Sequence, residues 1–330
     1  MLKKVTFLSR KPSAQYFSIE GIFETIKQEV SKSYLIFNKY LKYSGGSPLT
    51  IVKNILVFKH NQLEIYHITG DVHYMALATG KRTVLTIHDI GSALKGSIFK
   101  LFYIKLFWFW LPALRVGKIT VISEFTKQEL IRVVPFAKDK IVVVPNPMNS
   151  IFSPKTFAFN SDCPMILIVG TKLNKNLDRI FEAVINVTCK LYIIGALTEK
   201  QILKLKSHKI LYTNEANLSQ DEVVKAYQNC DMLCFPSTYE GFGMPIIEAQ
   251  ATGIPVVTSN LGAMREVAED TACLVDPFSV KSIQDGIKKI IENSSYREDL
   301  VKKGFHNIKR FRLDIIVKKY MDIYQEVARL

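Results

Sequence analysis

Short apolar runs alternate with amphipathic stretches along almost the whole of this 330-residue chain, and few folds accept that order. Residues 4–8, 64–68, 83–87, 119–122 and 141–144 read as strands of one series. Residues 165–169, 191–194, 210–212, 232–235, 256–258 and 272–275 read as a second. Helical periodicity fills the gaps, around 19–30, 49–58, 97–115, 124–133, 177–187, 199–206, 220–229, 246–252 and 279–292. Parallel strands need a crossover between them, and a helix is the usual one. Such a chain therefore builds parallel sheets covered by helices on both faces, an α/β protein. The two series are separated by a Pro-, Ser- and Asn-rich stretch that starts at Pro145-Asn146-Pro147 and runs to Pro164. That break predicts two doubly wound, Rossmann-like domains, 1–155 and 156–312, with a linker near 150–160. A last helix, within 313–330, follows a second domain that is already complete without it.

Composition narrows the class. Apolar residues make up 48% and charged residues 22%, an ordinary globular balance. Met1-Leu2-Lys3-Lys4 opens no signal-peptide pattern, and no run reaches the roughly 18 uncharged apolar residues of a spanning helix. The five cysteines, 163, 189, 230, 234 and 273, show neither metal-ligand spacing nor a disulfide framework, and read as reduced thiols of a cytosolic protein. The net charge of +14 is unevenly spread. Residues 1–155 hold 22 Lys+Arg against 9 Asp+Glu, whereas 156–330 hold 22 against 21. An anionic partner for the first half is expected. Residues 97–119 add aromatics and cations together, among them Phe99, Phe102, Trp108, Trp110, Lys100, Lys105 and Lys118, with Lys95 just before them. The tract reads either as a buried covering helix or as an interfacial membrane helix.

Chemistry concentrates at 237–249, Ser-Thr-Tyr-Glu-Gly-Phe-Gly-Met-Pro-Ile-Ile-Glu-Ala. A strand ends before it, and a helix with proline at its start follows. Helix-start amides favour negative charge, and Gly241 and Gly243 let backbone approach a ligand closely. Glu240 on the loop and Glu248, placed in the first turn of the helix, bracket that anion site with seven residues between them. Carboxylates accept hydroxyl hydrogen bonds, so the arrangement suits a molecule with phosphates in its middle and hydroxyls at both ends. A nucleotide-sugar has that form. Upstream, 170–177 is Gly-Thr-Lys-Leu-Asn-Lys-Asn-Leu after a strand, and two lysines before a helix start suit a diphosphate.

The run 237–249, continued by 253–260, Glu266-Val267 and 274–277, resembles the E-x7-E signature of glycosyltransferase family 4. These are retaining enzymes of the GT-B fold. The resemblance implies two Rossmann-like domains facing a central cleft, with the C-terminal helix crossing back to the first. It implies that Glu240 meets the donor sugar and Glu248 the ribose, with Gly241, Phe242, Gly243 and Met244 around the donor. Lys175 and Asn176 match the end of the family's diphosphate motif. The arginine of that motif is absent, and Lys172 is its expected substitute. Thr86-Ile87-His88-Asp89 matches a family His-Asp pair at a strand end, implying His88 near the reacting sugar and Asp89 near the acceptor. Ser123 is a helix N-cap by its position, and the family places a similar run near the acceptor. Asp71 and His73, in the loop 67–74, read as acceptor-binding, as local caps, or as part of a metal site. Ser13, Gln15 and Tyr16 are further acceptor candidates.

The reading is a hexosyltransferase moving sugar from a nucleotide-sugar to a hydroxyl of a lipid-linked saccharide, in cell-surface polysaccharide synthesis. No Asp-x-Asp is placed to hold a metal, so no metal or other cofactor is expected and cations do that work. The expected partners are the donor, the acceptor and an anionic membrane surface, with the protein peripheral at its cytoplasmic face. Nucleic acid is not expected, since no reader motif is present. The alternative is a basic membrane- or nucleic-acid-binding protein with a catalytically silent GT-B fold.

Overall fold

The computed structural model describes residues 3–10, 17–91, 96–154 and 158–330. The chain divides into two units, Met1–Pro147 with Leu313–Leu330, and Met148–Arg312. The division falls at Pro147 and not at 155, because the next residues are fastened to the second unit. The Met148 N–H donates to the Phe311 carbonyl at 2.8 Å. Phe152 is buried edge-on against Tyr227, with centroids 5.1 Å apart.

Among the described residues, the first unit holds one six-stranded parallel sheet in the order β2-β1-β3-β4-β5-β6. Its strands are β1 (Lys4–Ser9), β2 (Leu35–Tyr40), β3 (Ile65–Ile68), β4 (Thr83–Ile87), β5 (Lys118–Val121) and β6 (Ile141–Val143). The helices are α1 (Phe17–Val30), α2 (Pro48–Val57), α3 (Ala76–Thr79), α4 (Ile98–Ile104), α5 (Leu111–Arg115) and α6 (Glu124–Val133). The second unit holds a six-stranded parallel sheet in the order β12-β11-β10-β7-β8-β9. It is built from β7 (Met165–Val169), β8 (Lys190–Ile194), β9 (Leu211–Glu215), β10 (Met232–Phe235), β11 (Val256–Ser259) and β12 (Cys273–Val275). Its helices are α7 (Leu177–Ala183), α8 (Glu199–Ser207), α9 (Gln220–Asn229), α10 (Met244–Thr252), α11 (Gly262–Ala268), α12 (Val280–Glu292) and α13 (Ser294–Asn307).

The last helix, α14 (Leu313–Val327), belongs to the first unit. Ile316, Tyr320, Ile323, Tyr324 and Val327 recur at helical spacing and are buried with Val5, Phe7, Phe23 and Ile65. Between α4 and α5 the backbone runs as a π-helical segment, Lys105–Trp110. This tract divides in its surroundings. Phe109, Pro112 and Ala113 are buried, whereas Ile98, Phe99 and Phe102 are exposed. Among the described residues no helix is long and apolar enough to cross a membrane.

Order within each sheet fixes where a ligand fits. In the second sheet the chain leaves β7 toward β8 on one side and later returns to β10 on the other. In the first sheet the same reversal lies between β1 and β3. Crevices outside the carboxyl ends of strands at such reversals are the binding positions of doubly wound sheets.

Candidate functional site

In the second unit the loops after β7 and β10 meet at the reversal. Strand β10 is continuously apolar and fully buried, as a central parallel strand must be. Gly243 ends the following loop at φ 115°, a left-handed conformation that disfavours other residues, and α10 starts at Met244 with Pro245 in its first turn. Glu248 is therefore the fifth residue of α10, at the opening of its second turn and one residue further along than the sequence placed it.

The two loops are pinned by a short polar network. Lys175 Nζ donates to Glu240 Oε1 at 2.7 Å, and both side chains are largely buried. The same ammonium stands 4.6 Å from the centroid of the Phe235 ring. Asn174 Nδ2 donates to Glu240 Oε1 at 3.0 Å and to the Tyr239 carbonyl at 2.9 Å. In return the Thr238 N–H donates to the Asn174 carbonyl at 2.8 Å. Gly170, at φ 88°, lies under Lys175, and a Cβ there would stand 2.9 Å from Lys175 Cε. The network thus holds one ammonium and one carboxylate in fixed positions beside the start of α10.

Glu248 is partly exposed, and its Oε2 accepts from the Tyr227 hydroxyl at 2.6 Å. Burial pushes its carboxyl up to about 6, and the Tyr227 hydrogen bond and the Lys175 charge act in the opposite direction. Burial, together with the adjacent Glu248, raises the Tyr227 hydroxyl well above its ordinary range, so it remains a donor. Lys172 is exposed and makes no ion pair among the described residues. Gly241 and Met244 are partly exposed at the loop, whereas Phe242 is buried edge-on against Phe311 at 5.5 Å.

Asn176 has a different duty from the expected one. It adopts φ 64°, and its Nδ2 donates to the carbonyls of Pro236 and Pro277 at 3.0 and 2.6 Å. Its Oδ1 accepts from Arg179 at 3.0 Å, so its side chain is spent on tying three loops together. Asn174 and Tyr227 were not singled out from the sequence. Asn174 stood between two lysines in the flagged loop. Tyr227 lay on the helix expected at 220–229, where a buried tyrosine hydroxyl usually requires a partner.

In the first unit His88 stands at the end of β4. Its ring is edge-on to Phe23 at 5.9 Å, and its buried Nε2 has no partner among the described residues. Burial first, then the charges of His73 and Arg10, lower it to about 4, so the imidazole is neutral at pH 7. Asp89 is exposed and accepts from the Gly91 N–H at 2.9 Å.

The other acceptor candidates serve local structure. Asp71 Oδ1 accepts from the Trp108 indole at 2.6 Å, and His73 Nδ1 donates to the Trp108 carbonyl at 2.9 Å. Together they clamp the π-helical segment. Ser123 Oγ caps α6, accepting from the Thr126 N–H at 3.0 Å. Both ring nitrogens of His67 are engaged, with the Tyr324 and Thr86 hydroxyls at 2.7 Å each. Among the described residues no three His, Cys, Asp or Glu side chains gather as a metal would require. Ser13, Gln15, Tyr16 and Lys95 lie outside the described residues.

Comparison with known proteins covers nearly the whole chain. Residues 150–307 match the family model "Glycosyl transferases group 1", and residues 4–150 match "Glycosyltransferase Family 4". An uncharacterised glycosyltransferase of Methanocaldococcus jannaschii is 25% identical over 234 residues, 63% of this chain and 60% of that protein. The O-antigen chain mannosyltransferase B of Escherichia coli is 35% identical over 91 residues, 28% of this chain and 24% of that protein. The structure of Anabaena HepE in complex with UDP and glucose superposes with a TM-score of 0.80 at 14% identity, over 98% of this chain and all of that one.

Proposed function

We infer sugar transfer from one premise: the chain belongs to glycosyltransferase family 4 and has the GT-B fold. It moves a hexose from a nucleotide-sugar to a hydroxyl of a lipid-linked saccharide, with retention, at the cytoplasmic face of a membrane. The observation that carries the reading is the Lys175–Glu240 pair, 2.7 Å apart at the reversal of the second sheet and beside the α10 N-terminus. That is a place for a diphosphate and the sugar attached to it. Relatives agree in kind, since HepE holds UDP and glucose and the E. coli relative is a mannosyltransferase.

Breaking the anomeric bond builds negative charge on the departing diphosphate and positive charge on the sugar. Lys175, with Lys172 and the amides of Gly241 to Met244, stabilises the diphosphate charge in place of a metal ion. Glu248 takes the ribose hydroxyls. Glu240 orients the donor sugar, and its ties to Lys175 and Asn174 make it a poor nucleophile. That favours a front-face route, in which the departing phosphate takes the acceptor proton, over a double displacement through Glu240. His88, neutral at pH 7, is available as a hydrogen-bond partner for a sugar hydroxyl.

The test combines binding and turnover. Glu248→Ala should weaken the tightest binder among UDP, GDP and ADP by about tenfold to a hundredfold, the worth of one charge-assisted hydrogen bond. Lys175→Ala should lower kcat by orders of magnitude, while wild-type turnover survives EDTA. Unchanged nucleotide affinity in Glu248→Ala, or near-normal turnover in Lys175→Ala, would sink these assignments. Loss of wild-type turnover in EDTA would overturn the metal-free reading.

A further inference from the structure

Sugar transfer leaves unexplained a set of apolar side chains on the outside of the first unit. On α4, Ile98, Phe99 and Phe102 are 83%, 89% and 57% exposed. On α2, Leu49, Val52 and Leu56 are exposed at one-face spacing, while Ile51 and Asn54 on the other face are buried. A helix apolar on both faces calls for a cover on each. The two elements are joined. The Tyr103 hydroxyl donates at 2.7 Å to the Gly46 carbonyl, just before α2. The Trp108 ring lies so close to Gly46 that a Cβ there would stand 2.4 Å from it. The rest of the aromatic tract is not available for this purpose, since Phe109 is buried and Trp108, Trp110 and Phe107 pack against the core.

Charge points to the occupant. The sequence contains no Asp or Glu from 30 to 63, nor from 90 to 123, the two stretches that hold these helices. Lys42, Lys53, Lys59 and Lys100 are exposed within them. Lys42 and Lys53 each place an ammonium 5.6 Å from the centroid of the Tyr43 ring. Asp71 touches the tract, but its Oδ1 is engaged with the Trp108 indole. Exposed apolar side chains among cations, with no carboxylate on either helix, match anionic headgroups over an acyl layer. A nucleic acid would use the cations but leave Phe99 and Leu56 in water.

We propose that α2 and α4 form the face by which this protein docks on an anionic lipid bilayer. The face deepens the membrane setting of the function proposed above, but it stands on its own observations. Ile98, Phe99 and Phe102 enter the acyl boundary, with Lys100 and Lys53 among the headgroups.

Vesicle sedimentation tests it. Wild type should sediment with phosphatidylcholine vesicles containing phosphatidylglycerol at low salt, and neither with phosphatidylcholine alone nor at high salt. Lys53→Gln with Lys100→Gln should lower partitioning by about thirtyfold, two headgroup contacts' worth. Ile98→Ser, Phe99→Ser and Phe102→Ser combined should abolish binding, and Leu49→Ser, Val52→Ser and Leu56→Ser combined should weaken it. All six side chains are exposed, so nucleotide affinity and Tm should hold in each variant. The proposal is overturned if wild type stays in the supernatant with anionic vesicles. It is also overturned if the α4 triple variant binds as wild type does, or if wild type forms a dimer that the triple variant dissolves and that does not bind vesicles. Vesicle failure alongside nucleotide binding that depends on Glu248 removes the docking face and leaves sugar transfer standing. Docking without nucleotide binding does the reverse.

Discussion

The Lys175 ammonium bears on both glutamates of the site, one through a 2.7 Å contact and the other through its field. Burial places the Glu248 carboxyl's titration at about 6. If Glu248 takes the ribose hydroxyls as proposed, its ionised form is the acceptor, so nucleotide affinity should rise with pH through that value and fall below it. The stability contribution has the opposite sign. The folded carboxyl holds its proton more tightly than the unfolded one, so Glu248 costs stability as pH rises from the ordinary 4.5 to about 6. Tyr227→Phe removes the hydrogen bond that opposes this rise in the carboxyl's pKa. In calorimetric titrations with UDP, GDP or ADP the midpoint should move to higher pH by about one to two units, and affinity at pH 7 should fall by about twofold to fifteenfold. An unmoved midpoint would mean that Tyr227 only fills space. Glu240, Glu248 and Lys175 were nameable as candidates from the sequence because acceptor-only or cationic side chains beside glycines have few structural uses. Asn174 and Tyr227 were not, because each acts through a partner tens of residues away, and spacing carries no trace of that. Asn176 was named from its match to the family's diphosphate motif, and a motif match does not show that its side chain also holds two distant proline carbonyls.

The elements found in the sequence were those with a strong apolar signal. Buried strands such as β4, β7 and β10 stand out as unbroken apolar runs or nearly so. Strand β2 escaped because it is the edge of its sheet, with Leu35, Phe37 and Tyr40 all exposed, so no face of it alternates. Helices α11 and α13 escaped as well, the first for its brevity and the second for weak amphipathicity. Helix α14 was placed by resemblance, and the structure gives the physical reason for its docking. Its Tyr324 hydroxyl meets His67 on β3, which meets Thr86 on β4, which meets Thr120 on β5, each at 2.7 Å. Burial lowers His67 to about 3, and burial with neighbouring charges lowers His88 to about 4. Unfolded histidines titrate near 6.5, so the unfolded chain takes up protons first as pH falls. The stability these neutral rings contribute is complete above pH 6.5 and is lost toward pH 4. In scanning calorimetry the transition of the first unit should move down across that window, each ring removing up to about 1.4 kcal/mol for every pH unit. A transition that stays level from pH 7 to pH 4.5 would contradict a buried, neutral pair.

At the scale of the whole molecule, the described residues form two parallel sheets of six strands each, yet the units are unlike in sequence continuity. The second is a single stretch, Met148–Arg312, whereas the first is closed only by α14. A chain ended at Arg312 would expose the surface that Ile316, Val317, Tyr320, Ile323, Tyr324 and Val327 now cover. Such a chain should lose the calorimetric transition of the first unit and keep that of the second; retention of both would show α14 to be dispensable. The charge imbalance between the halves and the aromatic tract 97–119 were legible in the sequence, but which of that tract's side chains are exposed was not, because exposure belongs to the folded surface. The discontinuity also orders events on the ribosome. The strands of the first sheet emerge early, but the helix that seals their core is translated only after the whole second unit. Until then the nascent first unit presents Phe7, Phe23 and Ile65 uncovered, a substrate for chaperones for as long as that synthesis takes. Anything that stalls translation within Met148–Arg312 leaves the first unit open.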